Sequence, residues 1–518
     1  MAAEERYDAI VIGAGAGGLS AALQLAGRGR RVLVAEKNDR PGGNAASETV
    51  GGYTFDLAVH QLSGAGGDGV CSSILKEYGV ADRVELRKVD PFLVVDMPDR
   101  AYEIRCGRGA FRDELVKAFP GDAGDIERMI DGLDSLRKDA LIAQRIVYGG
   151  NRWMDAALRR EISAAKLLSF PFTALAGLVL RQRSDADAVL RRWVKNPKLR
   201  AVVHSSWAYL GLPPSRLSGL MMNIFVSMQH MCGSYYPAGS SQRLADAMAE
   251  ELRRKGGELL LGAPVKRIIT DGGRARGVEL EDGRRFMSDT VVSNADIFAT
   301  YRRLLEPSAV PAGFLRRLES MPVSSGPFRV CLGLDYDVSK NGMDHHEYMI
   351  LPGYDHEATY TGIERGEVPG VSAYSPTKLS PGLAPPGHST LVLTTLMPWS
   401  PERDWRGREE EIAADMIGLA EKRRLPGLSS HIKVKKVLTP EDLARITGSH
   451  MGAMYGWANG PEQTLMKRLS MYSPLKGLYH VGHWTRPGTG VTGAILSGWI
   501  LGRRLDSPAG RLFDRMFA

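Results

Sequence analysis

The chain opens its apolar pattern with Tyr7-Asp-Ala-Ile-Val-Ile-Gly13, a short β-branched run of the kind found in strands covered on both faces of a parallel sheet. A helix is predicted from about Gly17 to Gly29, and Arg31-Val-Leu-Val-Ala-Glu36 reads as a second such strand. Tyr235 to Leu244 leads into a helix ending near Arg254, and the chain then runs through Gly256 to Val265 as a strand. Ala275 to Leu280, an Asp282-Gly283 turn and Ser288 to Ala295 read as strand, turn and strand. Gly477 to Gly498 reads as a strand, a glycine-rich turn and a helix of small residues. Ser218 to Met231 is an apolar run of helical length carrying Met221, Met222, Met228 and Met231, and methionine adapts to irregular apolar shapes. That pattern suits either plain core or the wall of a lipophilic tunnel.

The spacing around the first turn carries chemistry. Gly13, Gly15 and Gly18 fit G-x-G-x-x-G: the first glycine allows the tight turn, the second lets backbone approach a pyrophosphate, and the third permits close helix–strand packing. The helix that follows points its N-terminal amides at the diphosphate. Glu36 ends the second strand 23 positions after Gly13, near the distance at which a carboxylate meets a ribose hydroxyl. Gly13, Gly15, Ala16, Gly18, Glu36 and the adjacent Lys37 are therefore the expected dinucleotide contacts. A second match, Gly64-Ala-Gly-Gly-Asp68-Gly69, follows no concentrated β-branched run and carries an acid where a diphosphate would sit, so it reads as a turn. One dinucleotide site leaves no room for a built-in nicotinamide domain, and the electron partner is external.

Length and composition narrow the class. At 518 residues, 43% hydrophobic and 24% charged, the chain is a folded protein of two or more domains. Four separated cysteines without histidines at ligand spacing suggest neither disulfides nor a metal site. The formal charge of +8 is uneven: residues 151 to 200 hold eleven Lys/Arg against four acids. No recognition motif accompanies that charge, so nucleic acid is not expected as a partner. The uncharged run Leu167 to Leu180 contains Pro171 and is shorter than the roughly 20 residues that cross a bilayer, but beside Lys166, Arg181 and Arg183 it could lie on an acidic membrane surface. The acidic opening Met-Ala-Ala-Glu-Glu-Arg reads as neither signal nor transit peptide, so a cytoplasmic protein, peripheral at the inner face of the membrane, is expected.

Further blocks carry a family resemblance. Arg40-Pro41-Gly42-Gly43-Asn44 followed by Gly52-Tyr-Thr-Phe55-Asp56 resembles the second phosphate loop of flavoproteins, and the whole arrangement is similar to the phytoene desaturase, carotenoid isomerase and retinol saturase group. Tyr235-Tyr-Pro237 with its helix, and Gly482-His483-Trp484 through Gly490-Val491-Thr492-Gly493, match later blocks of that group. The resemblance implies an α/β chain: a glutathione-reductase-type, Rossmann-like FAD-binding domain with an α+β substrate domain inserted in pieces. It adds Gly42, Gly43, Asn44, Val265, Gly482, His483, Gly490, Val491 and Thr492 to the FAD contacts. Asn44 stands where many relatives have Arg, and His483 where they have an acid. The implied division is 1–105, 234–305 and 445–518 for FAD, with 106–233 and 306–444 for substrate.

The implied activity is FAD-dependent desaturation, saturation or isomerisation of C=C bonds in a long apolar polyene or isoprenoid. Reductive cyclisation of a polyene tetramate macrolactam and amine-oxidase-like chemistry are the alternatives, and a prenyl-lipid escort of the Rab GDP-dissociation-inhibitor type is the non-enzymatic one. His60 and His483 lie in cofactor-domain motifs and are the candidate proton-transfer residues, since imidazole titrates near neutral pH. His345-His346 lies in a polar stretch and receives no role.

Overall fold

The computed structural model describes residues 5–67, 69–162, 183–398, 407–464 and 467–505. Its first unit is built on a five-stranded parallel sheet in the order Glu258–Leu260, Val32–Ala35, Ala9–Ile12, Val291–Ser293, Leu478–His480. The continuous apolar run has the expected cause. Ala9 and Val11 pack toward helices Ala16–Ala26, Gln242–Arg254 and Gly490–Leu505, while Ile10 and Ile12 face the opposite core, shared with a mixed four-stranded sheet in which Val265–Asp271 and Arg274–Leu280 pair antiparallel. Both faces are thus covered, with the two-residue period of a strand.

The second unit is a seven-stranded mixed sheet, ordered Ile432–Leu438, Gly326–Leu334, Ser389–Met397, Val371–Tyr374, Glu347–Ile350, Leu93–Asp96, Ala101–Ile104. One face packs against Ala123–Tyr148 and Gly219–Cys232, and the other against Glu409–Arg423. Leu93–Asp96 pairs in parallel with Glu347–Ile350, which joins a strand N-terminal to residue 105 to the second sheet. A local sequence pattern cannot report a partner strand some 250 positions away.

The methionine-rich run forms helix Gly219–Cys232, with the Ser218 side chain accepting from the Met221 amide as its cap. Gly64 and Gly69 lie in close contact before helix Val70–Tyr78, where a Cβ on Gly69 would meet the Gly64 carbonyl at 2.1 Å. The membrane-surface stretch Leu167 to Leu180 lies outside the described residues. Among the described residues no helix is long and apolar enough to cross a membrane.

Candidate active site

The carboxyl ends of the parallel strands supply three loops that meet. The Gly13 amide donates to the Ala35 carbonyl (2.8 Å), and the Gly42 amide donates to Ala14 (2.9 Å), laying the second glycine loop against the first. Close approach explains the glycines. A Cβ on Gly18 would lie 2.1 Å from the Gly13 carbonyl, one on Gly17 2.8 Å from the Gly482 amide, and one on Gly15 2.7 Å from the Asn294 side chain. Gly43, at φ +56°, sits where only glycine is relaxed.

These loops open onto a cavity of about 550 Å³. One end is walled by Gly15–Gly17, Gly42–Ala45 and Gly488–Ala494, and includes the N-termini of helices Ala16–Ala26 and Gly490–Leu505. Neither helix has an acid in its first turn, so both termini present partial positive charge to an anion. Thr489 Oγ1 is buried there with no hydrogen-bond partner among the described residues. Two acid-free helix ends, a glycine cradle and an orphaned hydroxyl fit a flavin dinucleotide. Gly15, Ala16, Gly42, Gly43, Asn44, Gly482, His483, Gly490, Val491 and Thr492 would line its site.

Other expected contacts lie behind this wall. Gly13 and Gly18 shape the turn. The buried Glu36 carboxylate accepts from the amides of Ala14 (2.6 Å) and Asn38 (2.9 Å), bracing the first loop. Lys37 is exposed and reaches the Arg445 carbonyl at 3.5 Å. Val265 starts strand Val265–Asp271 of the four-stranded sheet, and none of these five is among the residues lining the cavity. The Thr492 hydroxyl already donates to the Ser63 carbonyl (2.8 Å).

A further stretch of the wall is apolar, and it reaches the cradle, with Met221 Cε 3.4 Å from where a Gly488 Cβ would sit. Leu220, Met221, Ile224, Phe225 and Met228 of the methionine-rich helix face Ala140, Ala143 and Val147 of the long helix. Met222 and Val226, on the other side of the same helix, are core residues. The run therefore supplies core on one face and cavity wall on the other.

His60 and His483 both line the cavity, in different surroundings. Burial, aided by Arg468, pushes His483 down to about 3, leaving an uncharged ring at neutral pH in place of the expected near-neutral titration. Arg468 is wholly buried and donates to the carbonyls of Tyr455 (2.7 Å) and His483 (2.5 Å), tying down the loop that carries His483. His60 stacks on Tyr374 (4.4 Å between centroids) and places Nε2 3.1 Å from Glu347 Oε2. Burial alone would raise the Glu347 carboxyl, but His60 and hydrogen bonds from Tyr209 and Ser372 outweigh it and bring it to about 2. Gln61 Nε2 (2.7 Å) and Ser372 Oγ (2.7 Å) also donate to it. Glu347 and the buried His346 thus surround His60, although their stretch reads as a polar loop in sequence.

Sequence reasoning missed two more groups. Asp296 lines the cavity, accepts from the amides of Ala299 (2.9 Å) and His450 (2.8 Å), and is raised by burial to about 6. Arg329 is buried against Tyr374 and donates to the backbone carbonyls of Asp56 and Leu57. Asp56, from the Phe55-Asp56 pair, accepts in turn from Tyr236 (2.7 Å) and Ser241 (2.8 Å).

A family model described as flavin containing amine oxidoreductase matches residues 16–504. The chain is 29% identical to a chloroplastic prolycopene isomerase of Arabidopsis thaliana over 98% of this chain and 84% of that one. It is 28% identical to a zeta-carotene-forming phytoene desaturase of Myxococcus xanthus over 96% and 93%. Among solved structures, an oxidoreductase from Methanosarcina mazei superposes with a TM-score of 0.62 at 20% identity, over 96% of this chain and 99% of that one. Putrescine oxidase bound to putrescine gives a TM-score of 0.62 at 16% identity, over 96% and 99%.

Proposed function

The chain belongs to the flavin containing amine oxidoreductase family and is an FAD-dependent oxidoreductase; from that premise we propose that its substrate is a long apolar polyene or isoprenoid, changed at its C=C bonds. The carrying observation is the continuity of the cavity: the glycine cradle at one end opens directly onto the Met221, Ile224, Phe225 and Met228 wall at the other. Relatives whose names specify prolycopene and phytoene as their substrates support the same class.

Bound FAD supplies two-electron exchange with carbon, and the protein supplies placement and electrostatics. The N-termini of helices Ala16–Ala26 and Gly490–Leu505 would hold its anionic groups. The methionine-rich and long helices orient the polyene and exclude water, and methionine's flexibility lets one wall follow a bent chain. His483, uncharged, contributes a neutral ring beside the cofactor loops.

The expected result is a yellow purified protein whose flavin absorbance bleaches when mixed anaerobically with a carotenoid, retinoid or macrolactam polyene, or which changes the polyene's product spectrum. Ile224→Trp, which fills the apolar end, should weaken polyene affinity at least about tenfold while leaving the flavin spectrum intact. Bleaching by primary or secondary amines instead of polyenes would transfer the assignment to amine oxidation.

An apolar substrate also implies a lipid source. Ile146 is 61% exposed near the end of the long helix, and Arg152, Arg159 and Arg160 of the helix that follows in sequence are exposed as well. That pairing of apolar and basic surface supports binding at an acidic bilayer. Flotation with phosphatidylglycerol vesicles but not with phosphatidylcholine vesicles is the expected outcome.

A further inference from the structure

A second cavity, of about 60 Å³, adjoins the first on the face of the seven-stranded sheet that packs against helix His356–Glu364. Met349 and Leu396 come to it from the sheet, Ile363 from that helix and Trp207 from the turn Ser205–Tyr209, all members of one apolar core. None of the residues lining it is exposed at the surface. The space has room for several water-sized groups, and an apolar lining of this kind does not hold water.

Four residues line both cavities: His60, Tyr209, Met454 and Tyr455. The partition between the two spaces is therefore one residue thick, and three of its members are anchored. His60 stacks on Tyr374 with Nε2 3.1 Å from Glu347 Oε2. Tyr209 packs between His60 and Phe225, with ring centroids 5.5 and 5.8 Å away. The Tyr455 hydroxyl donates to the Ala208 carbonyl (2.9 Å), and its own carbonyl accepts from buried Arg468 (2.7 Å). Met454 differs: it is half-buried, its side chain has no donor and only a weakly accepting sulfur, and it turns about flexible single bonds.

We propose that Met454 is the movable member of this partition, and that the smaller cavity receives the open-chain apolar tip of the polyene, a terminal isoprene unit, when Met454 moves aside. The assignment rests on the polyene reading of the main cavity. The lining identifies the occupant. Hydroxyls that could recognise a polar head are already spent, Ser372 on Glu347 (2.7 Å), Thr359 on the Asp355 carbonyl (2.9 Å) and Tyr455 on Ala208. The Trp207 N–H is sealed from the space, so that residue offers ring carbon. A hydrocarbon tip needs none of these groups. Seating it fixes how far the chain is drawn past the cofactor, and so which of its bonds is changed.

The test is binding of lycopene and β-carotene to the holoenzyme, followed by their absorbance. The two are isomeric hydrocarbons, one with open-chain ends and the other with ring-closed ends too bulky for the smaller cavity. Wild type should bind lycopene about tenfold to a hundredfold more tightly, the worth of burying a five-carbon tip less the displacement of Met454. Leu396→Trp and Ile363→Phe, which fill the smaller cavity from the sheet and from the helix, should bring lycopene down to the β-carotene level with the flavin spectrum kept. In parallel, NMR of the holoenzyme carrying ¹³C-methyl methionine, with the Met454 signal assigned through Met454→Leu, should show that signal moving on addition of lycopene and not of β-carotene. That readout needs no filled variant, so it decides the matter even if both fail to fold. Equal affinity for the two isomers in wild type, a lycopene preference that survives in both filled variants, or a Met454 signal that lycopene leaves in place overturns the proposal while the polyene reading stands. If wild type neither binds a polyene nor changes its spectrum, the substrate class falls and the tip site falls with it.

Discussion

At the glycine end of the cavity the groups facing inward are largely backbone, held by contacts as short as the 2.1 Å that a Gly18 Cβ would make with the Gly13 carbonyl. At the His60 end they are side chains, held by a buried lattice of His60, Glu347, Gln61, Ser372, Tyr374 and Arg329. The difference separates tolerance from tuning. A backbone cradle has no neighbour that can yield, so its failures are abrupt. A side-chain lattice can lose one member and keep its fold while its chemistry drifts.

The sharpest way to break that contrast is Gly18→Ala. Its Cβ would strike a carbonyl of the turn itself, with no flexible side chain to move aside. The expected result is colourless protein, or protein destabilised by upwards of about 4 kcal/mol, read by flavin content and thermal midpoint. Gly67→Ala is the internal control: φ is +54° but nothing lies within 4 Å, so only about 1 kcal/mol of backbone strain is expected. Equal losses in the two variants would show that the cradle is not special.

The same contrast explains what could be read from the chain. Gly13, Gly15 and Gly18 were legible because a tight turn before a helix imposes a fixed local spacing. The crossing of the first and last helices was not: a Cβ on Gly498 would meet the Gly17 carbonyl at 2.3 Å, and no local pattern links residues that far apart. Glu36 was expected to meet a ribose hydroxyl, and in the structure its buried carboxylate accepts from the amides of Ala14 and Asn38. Glu347 was illegible for a different reason. A charged residue beside two histidines signals a solvated loop, and it is a place in a central strand with contacts to His60, Gln61 and Ser372 that makes burial tolerable. The methionine-rich helix was legible as a helix, but which face meets the cavity depends on the sheet behind it.

Two buried carboxylates on opposite sides of this divide carry opposite pH signatures. Asp296 is raised from 3.8 to about 6, chiefly by burial, so the folded state holds its proton longer than the unfolded chain does. Its contribution to stability is greatest at low pH and declines as pH rises from about 4 to 6, by about 2 to 3 kcal/mol. Glu347 is brought from 4.5 to about 2, so its contribution is present above 4.5 and is lost as pH falls toward 2. Asp296→Asn should therefore cost more stability at pH 4 than at pH 7, measured as the difference in thermal midpoint from wild type at each pH. A cost independent of pH would mean that burial does not hold the Asp296 proton.

The smallest effect is expected at the seam. Thr492 stands in the first turn of the last helix, on the cofactor wall, but its hydroxyl donates to the Ser63 carbonyl at 2.8 Å, so the group is already spent inside the protein. If the glycine end recognises its cofactor through backbone, Thr492→Val should remove only that brace. The expected cost is about 1 kcal/mol in stability, with flavin content and spectrum unchanged. Flavin loss comparable to that of Gly18→Ala would instead make the hydroxyl a cofactor donor that changes partner on binding. The cradle would then be partly a side-chain device, and the division between its two ends would have to move from the glycines to the first turn of that helix.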